Sequence, residues 1–293
     1  MLNGGMVETL KQFSDVFKFR IGAAISLCAV AGMAVTPGNP LSTNQIIVLV
    51  LAVFLSSASA GAFNQFVERD LDARMSRTRN RPFVTGAYHA GWAWLSGIIS
   101  LLALSVGAAA WMLNAHVALY VFLGAFFYAI VYTLWLKQRS AWNIVIGGLA
   151  GSFAVLAGAA AISPELAPVA IILAIVLFLW TPPHFWSLAT VLHQDYADAG
   201  VPMLPVLIGD RATAWVILGH TLALVAFSLL PLVYGMGLVY LAGALSGGSY
   251  FIYRSISLVR DPGPRAALSN FLASFVQLGL LLIAAIFDGG PSF

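Results

Sequence analysis

The chain is 293 residues long, 60% hydrophobic and 9% charged, with a mean hydropathy of +0.92. A soluble domain carries about 25% charged residues, so the composition excludes that class and points to an all-α polytopic membrane protein, in which each crossing needs about 20 apolar residues. A net charge of +3 and the lone Cys28 leave no case for a basic nucleic-acid surface or an intrachain disulfide, and no nucleic-acid partner is expected.

Residues 1–20 carry Glu8, Lys11, Asp15, Lys18 and Arg20 without an apolar core. They read as an amphipathic lead-in on the membrane surface and not as a cleavable signal. Apolar runs then place nine spans near 19–36, 43–65, 91–112, 115–136, 142–162, 167–192, 212–233, 236–254 and 267–287. Turn signals separate them, notably Thr36-Pro-Gly-Asn-Pro40, Ser163-Pro164 and Asp261-Pro-Gly-Pro264. With a cytoplasmic N-terminus, this count puts all 14 Lys and Arg on the inner side and leaves only Glu165 and Asp288 of the charged residues outside. The expectation is nine transmembrane helices in a single domain over residues 1–293, with the C-terminus outside. The two longest connections, about 66–90 and 193–211, are both inner and follow the second and sixth spans.

The first long connection opens on Asn64-Gln-Phe-Val-Glu68-Arg-Asp70-Leu-Asp72 and continues through Arg74, Arg77, Arg79 and Arg81 to Pro82. Asn64, Glu68 and Asp72 are four apart, so an unbroken helix stacks them on one face. Asp70 points away from that face and joins a metal shell only if the helix frays there. The second connection opens on His193-Gln-Asp195-Tyr196-Ala-Asp198, with Gly200 and Pro202 ending the helix. Asp195 and Asp198 at the same membrane surface form a second acidic wall opposite the first, with the Tyr196 phenol at the same level. Carboxylates cannot grip a diphosphate directly. Mg²⁺ between them can, and arginines can hold the same phosphate oxygens. Such a site also stabilises charge building on a leaving diphosphate.

The sixth span contains Trp180-Thr-Pro182-Pro183-His184-Phe185-Trp186. Paired prolines are expected to break the helix there and free carbonyls toward a cavity. An ionisable residue at membrane depth suggests function for His184: a haem-iron ligand, a partner for a porphyrin carboxylate, or a proton carrier. Trp186 reads as a wall residue. Lys137 and Arg139 fix topology and are within reach of a diphosphate.

These residues resemble the UbiA-type intramembrane prenyltransferases. Asn64, Glu68 and Asp72 match that superfamily's Asn-x3-Asp/Glu-x3-Asp motif. The branch that acts on haem is matched by Met-x-Arg-Thr-x-x-Arg-Pro at Met75 to Pro82 and by Leu136-Lys137. It is matched again by Asn-Ile-Val-Ile-Gly-Gly at Asn143 to Gly148, Thr-Pro-Pro-His-Phe-Trp at Thr181 to Trp186, and Asp-Tyr-x-x-Ala-Gly-Val-Pro-Met-Leu-Pro at Asp195 to Pro205. The chain departs from the pattern at Ala154-Val155, where the family has Pro-Pro, and lacks a plain Asp-x3-Asp in the second loop.

The resemblance implies a helix bundle around a central cavity that opens to lipid, at the inner membrane, with its site facing the cytoplasm. It implies farnesyl transfer from farnesyl diphosphate to a vinyl group of haem B, with water quenching the cation to give haem O for haem A synthase or terminal-oxidase assembly. Asn64, Glu68, Asp72, Asp195 and Asp198 would be catalytic, the four acids holding Mg²⁺. Arg77, Arg81, Lys137 and Arg139 would bind diphosphate, and His184, Trp186 and Tyr196 would bind haem. A prenyltransferase for an aromatic or chlorin acceptor is the nearest alternative, and a haem carrier the next.

Overall fold

The computed structural model describes residues 2–289. The chain begins with α1 (Leu2–Phe17), a surface helix, and turns by 48° into α2 (Phe19–Ala34) at Lys18, the one non-glycine residue with positive φ among those described. Then come α3 (Thr43–Val67), two single turns α4 (Arg69–Asp72) and α5 (Pro82–Thr85), and α6 (Trp92–Met112). After it, α7 (Ala115–Phe126) runs on as a π-helical stretch over Phe127–Leu136, followed by α8 (Asn143–Gly147), α9 (Leu149–Ile162) and α10 (Pro168–Val191). The second long loop holds α11 (His193–Asp198) and α12 (Leu204–Ile208). The chain closes with α13 (Asp210–Leu229) and its short 3₁₀ extension, α14 (Leu238–Arg260) and α15 (Pro264–Asp288).

Local chemistry sets the helix ends. Ser42 and Gln45 form a reciprocal capping box at α3, and Asn114 accepts from the Val117 N–H at α7. Proline sits in the first turn of α10 and α15, where its missing N–H costs nothing.

All nine expected segments fall on these helices. Seven are long and apolar enough to cross a membrane, and α1 with α2 makes an eighth if the bent pair is one span. α14 has the length but carries Gly243, Ser246, Gly247, Gly248 and Ser249, and is too polar to count by that measure. It also runs six residues further than expected, so Arg254 and Arg260 lie on a helix and not in a connection.

The core is packed with small side chains. Ala29, Ala31, Ala157, Ala159 and Ala160 are fully buried. Between α2 and α9 the backbones themselves touch: a Cβ on Gly32 would lie 2.1 Å from the Val155 carbonyl oxygen, and one on Gly158 would lie 1.8 Å from that of Ala29. In lipid, where apolar burial gives no drive, such contacts supply the packing. The departure at Ala154-Val155 falls at this contact. The carbonyl of Val155 is pressed onto Gly32, and α9 runs through this point as regular helix.

The expected break at Pro182-Pro183 is not there: α10 continues through both prolines to Val191. Of the apolar spans α10 is the most buried, and neighbouring helices shield its weakened ladder. Hydroxyls add bonds around it, from Thr181 to the Leu177 carbonyl at 3.0 Å and from Ser187 to that of Pro183 at 2.6 Å.

Candidate active site

α3 carries Asn64 in its last turn and stops at Val67; Glu68 is its cap, and α4 resumes at Arg69. The expected unbroken helix is therefore two pieces. The ladder nevertheless survives the break, because Glu68 N–H donates to the Asn64 carbonyl at 3.0 Å and Asp72 N–H to that of Glu68 at 2.8 Å. Asn64, Glu68 and Asp72 thus keep one face, and all three are buried, at 2%, 4% and 2% exposure.

Each buried acid has a cation fastened to it. Glu68 Oε2 accepts from Lys137 Nζ at 2.5 Å and from Asn64 Nδ2 at 2.7 Å. Asp72 Oδ2 pairs with an Arg81 guanidinium nitrogen at 2.6 Å. The Thr78 hydroxyl donates to the Asp72 carbonyl at 2.9 Å and folds the arginine-rich segment back over α4. A buried carboxylate without such a partner costs several kcal/mol. Glu68 Oε1 remains buried with no hydrogen-bond partner. A hollow of about 210 Å³ opens beside it, lined by Glu68, Asp70, Leu71, Arg74 and Gln138. Asp70, which the helical-face argument turned away, lines this hollow with Glu68.

Lys137 reaches Glu68 because of the π-helical stretch. In an α-helix, residues nine apart lie about half a turn opposed. Wider turns, closed by bonds such as Lys137 N–H to the Tyr132 carbonyl at 2.9 Å, take up more residues each. Tyr128, Thr133 and Lys137 therefore all face α3. Thr133 Oγ1 lies 3.2 Å from Asn64 Nδ2, and the Tyr128 and Tyr132 rings stack at 5.6 Å. The sequence reading missed Tyr128 and Thr133. Their signal was there, as polar atoms recurring at spacings of four and five in an apolar span.

The second loop docks on the first without merging its acids into one ligand set. Leu71 and Met75 pack with Tyr196, Val201 and Met203. The Ser76 hydroxyl donates to Asp195 Oδ2 at 2.5 Å. Asp198 is exposed and takes a 2.7 Å bond from Gln194. His193 pairs with Asp210 at 2.8 Å. Among the described residues, no three His, Cys, Asp or Glu side chains come together as metal ligands. Of the four acids expected to share a metal, Glu68 and Asp72 are buried and paired with cations, whereas Asp195 and Asp198 are turned to uncharged neighbours of their own. Tyr196 is buried, which pushes its phenol above the usual value, and the Arg77 charge beside it pulls the other way. Arg139 is exposed on the turn after the π-helical stretch.

The three residues expected to bind haem are not brought together. His184 stacks on Trp180 at 4.1 Å and on Phe271 at 4.5 Å, and its Nδ1 lies 2.7 Å from Ser274 Oγ on α15. Trp186 faces the other way, against Ala214, Ile217 and Leu258, edge-on to His220 at 5.2 Å. Two residues along a helix turn about 200°, which is why they part. Tyr196 belongs to the loop cluster. A small apolar space of about 50 Å³ does lie nearby, between Tyr128, Tyr132, Ile144, Gly147, Thr181 and Phe185.

A bundle of apolar helices with two docked inner loops and a buried Asn–Glu–Asp face defines an intramembrane prenyltransferase architecture, and comparison with known proteins agrees. The UbiA prenyltransferase family profile matches residues 25–279. A protoheme IX farnesyltransferase of Paramagnetospirillum magneticum is 56% identical over 97% of this chain and 98% of its own length. One of Hahella chejuensis is 38% identical over 95% of this chain and 93% of its own. Among solved structures, a digeranylgeranylglyceryl phosphate synthase superposes with a TM-score of 0.79 at 18% identity, covering 96% of this chain and 99% of that one. A UbiA homolog of Archaeoglobus fulgidus bound to DMAPP and Mg²⁺ gives 0.69 at 18% identity, covering 94% and 99%. The chain belongs to the UbiA prenyltransferase family and, within it, to the group of the protoheme IX farnesyltransferases.

Proposed function

We propose that this protein transfers the farnesyl group of farnesyl diphosphate to a vinyl group of haem B, with addition of water, to give haem O. The observation that carries this reading is the 56% identity to a protoheme IX farnesyltransferase over nearly the full length of both chains. The site supports it. The acid face of Asn64, Glu68 and Asp72 lies beside Arg81 and Lys137, so anion-binding and cation-binding groups sit within one residue's reach of each other.

The group fits a hard cation. Its donors are carboxylate oxygens, and Glu68 Oε1 is a buried acceptor with nothing to accept from. Glu68 and Asp72 would hold Mg²⁺, with Asp195 and Asp198 at the rim of the closing loop. A bound Mg²⁺ supplies Lewis-acid neutralisation of the diphosphate as it leaves. Lys137, Arg81 and Arg77 grip the phosphate oxygens, with Arg139 at the outer edge. Asn64 orients Glu68. The packed loops and apolar walls keep water from the allylic cation until the vinyl π-bond has attacked. His184, Trp186 and Tyr196 remain the candidates for binding haem, each from its own surroundings.

The whole chain acts as one membrane domain with nine crossings in the inner membrane, its N-terminus and active site cytoplasmic and its C-terminus outside. The gathering of all 14 basic residues on one side supports this orientation. The product then passes to haem A synthase or to terminal-oxidase assembly.

The test is incubation of purified protein with farnesyl diphosphate, Mg²⁺ and either haem B or a hydroxybenzoate, read by mass. The expected product is haem B carrying one added farnesyl group and one added hydroxyl, with diphosphate and a proton released. A farnesylated benzoate with untouched haem overturns the assignment of acceptor.

A further inference from the structure

We infer that Lys18 is a positioning residue that locks the Asn64 amide and, through it, the Glu68 carboxylate. The inference rests on the proposed reading of Asn64, Glu68 and Asp72 as the metal-diphosphate face.

A lysine at a membrane surface ordinarily turns its ammonium outward to water and headgroups. Lys18 does the opposite. Its Nζ points inward, 2.8 Å from Asn64 Oδ1 and 2.9 Å from the Tyr128 hydroxyl, and lies 5.4 Å from the centre of the Tyr128 ring. Its backbone there has φ 52 and ψ 45, a left-handed conformation that crowds the Cβ of an L-residue against the following carbonyl. Strain of this kind persists where the surroundings over-determine it. Here they do, because the stem of Lys18 lies along α3 at Gly61, one turn before Asn64. A Cβ on Gly61 would lie 3.2 Å from Lys18 Cδ and 3.4 Å from its Cβ and Cγ.

The consequence falls on Asn64. A side-chain amide can be turned over at little cost unless its partners tell its two ends apart. Lysine offers donors, and a carboxylate offers acceptors. With Lys18 at one end and Glu68 at the other, only one orientation satisfies both: Oδ1 to Lys18, Nδ2 to Glu68 Oε2 at 2.7 Å. Glu68 Oε2 is thereby held by Asn64 and Lys137 together, and Oε1 is left turned away from both. Remove Lys18, and Oδ1 loses its donor: the amide is then held only through Nδ2, by Glu68 and Thr133, and guides the carboxylate less firmly. Because Lys18 also caps α2, the surface helix α1 is tied mechanically to the acid face.

The test uses the full chain in detergent, with Mn²⁺ as the probe metal and inorganic pyrophosphate present, free Mn²⁺ being read by electron paramagnetic resonance. Lys18→Met is expected to weaken Mn²⁺ binding about 10-fold or more, as removing a ligand-orienting partner does, while Lys18→Arg, which keeps donors, recovers most of it. Added to Asn64→Leu, Lys18→Met is expected to cost less than about twofold further, because both break one interaction. A packing role alone lowers the yield of folded protein and leaves the Mn²⁺ affinity of the folded fraction unchanged. That result, or losses that simply multiply, overturns the inference. Should Lys18→Met not fold, Gly61→Ala crowds the lysine stem and is expected to weaken Mn²⁺ in the same direction by less. An unchanged affinity there is equally fatal. Wild-type protein that takes up no Mn²⁺ with pyrophosphate overturns the metal-diphosphate reading itself, whereas wild-type uptake with an unaltered Lys18→Met overturns only the role of Lys18.

Discussion

The loop after α3 and the loop after α10 both bring acids, a turn of helix and a proline to the same surface. In the first, Glu68 and Asp72 are buried and each is fastened to a cation, Lys137 from the end of the π-helical stretch and Arg81 from the same loop. In the second, Asp195 is partly exposed and held by a serine hydroxyl, and Asp198 is exposed beside Gln194. Identical residue types therefore occupy different electrostatic worlds. Charge deep in the bundle persists only because it is compensated, so it is poised for exchange with another cation. Charge at the rim is met by neutral hydrogen-bond donors and open to solvent.

This contrast can be broken by removing one charge at a time. Glu68→Gln and Asp72→Asn are expected to lower turnover by roughly 100-fold or more, since charge stabilisation by the metal is worth several kcal/mol, while haem B stays bound. Normal turnover in both would end the metal-diphosphate model. Asp195→Ala is expected to cost about 10-fold, through loss of the Ser76 contact that docks the loops, and Ser76→Ala should reproduce most of that loss. An Asp195 effect as large as that of Asp72 would make the two loops equal partners. Lys137→Met sharpens the comparison with two opposite signs. Without pyrophosphate, Mn²⁺ should bind several-fold more tightly, because a tethered competitor has gone, while KM for farnesyl diphosphate rises. Asp198→Asn, fully at the rim, should change kcat by less than about twofold, in line with exposed charges generally.

Much of the frame was legible in the residues. Runs of about 20 apolar positions, closed by Pro and Gly, marked all nine segments, and the four-residue spacing of Asn64, Glu68 and Asp72 was enough to predict a shared face. What escaped was rotation and tilt. Nothing in Phe127–Leu136 announces a widened helix, yet that widening turns Lys137 onto Glu68. Lys18 counted toward topology, because its inward turn depends on a left-handed backbone and on the room left at Gly61. The divergence of His184 and Trp186 could have been foreseen from their spacing of two. The continuity of α10 through its prolines could not, since it depends on the helices packed around it.

The contact of Gly32 and Gly158 with the opposing backbone has one more consequence. Where two main chains rub with no side chain between them, nothing can slip through. A long isoprenoid dissolved in the bilayer finds the seam of α2 and α9 closed, and that of α14 and α15 nearly so, where a Cβ on Gly243 would lie 2.8 Å from the Leu280 carbonyl oxygen and one on Gly247 2.9 Å from Gln277 Cα. Its gate must be cut on a flank whose seams are filled by larger, movable groups.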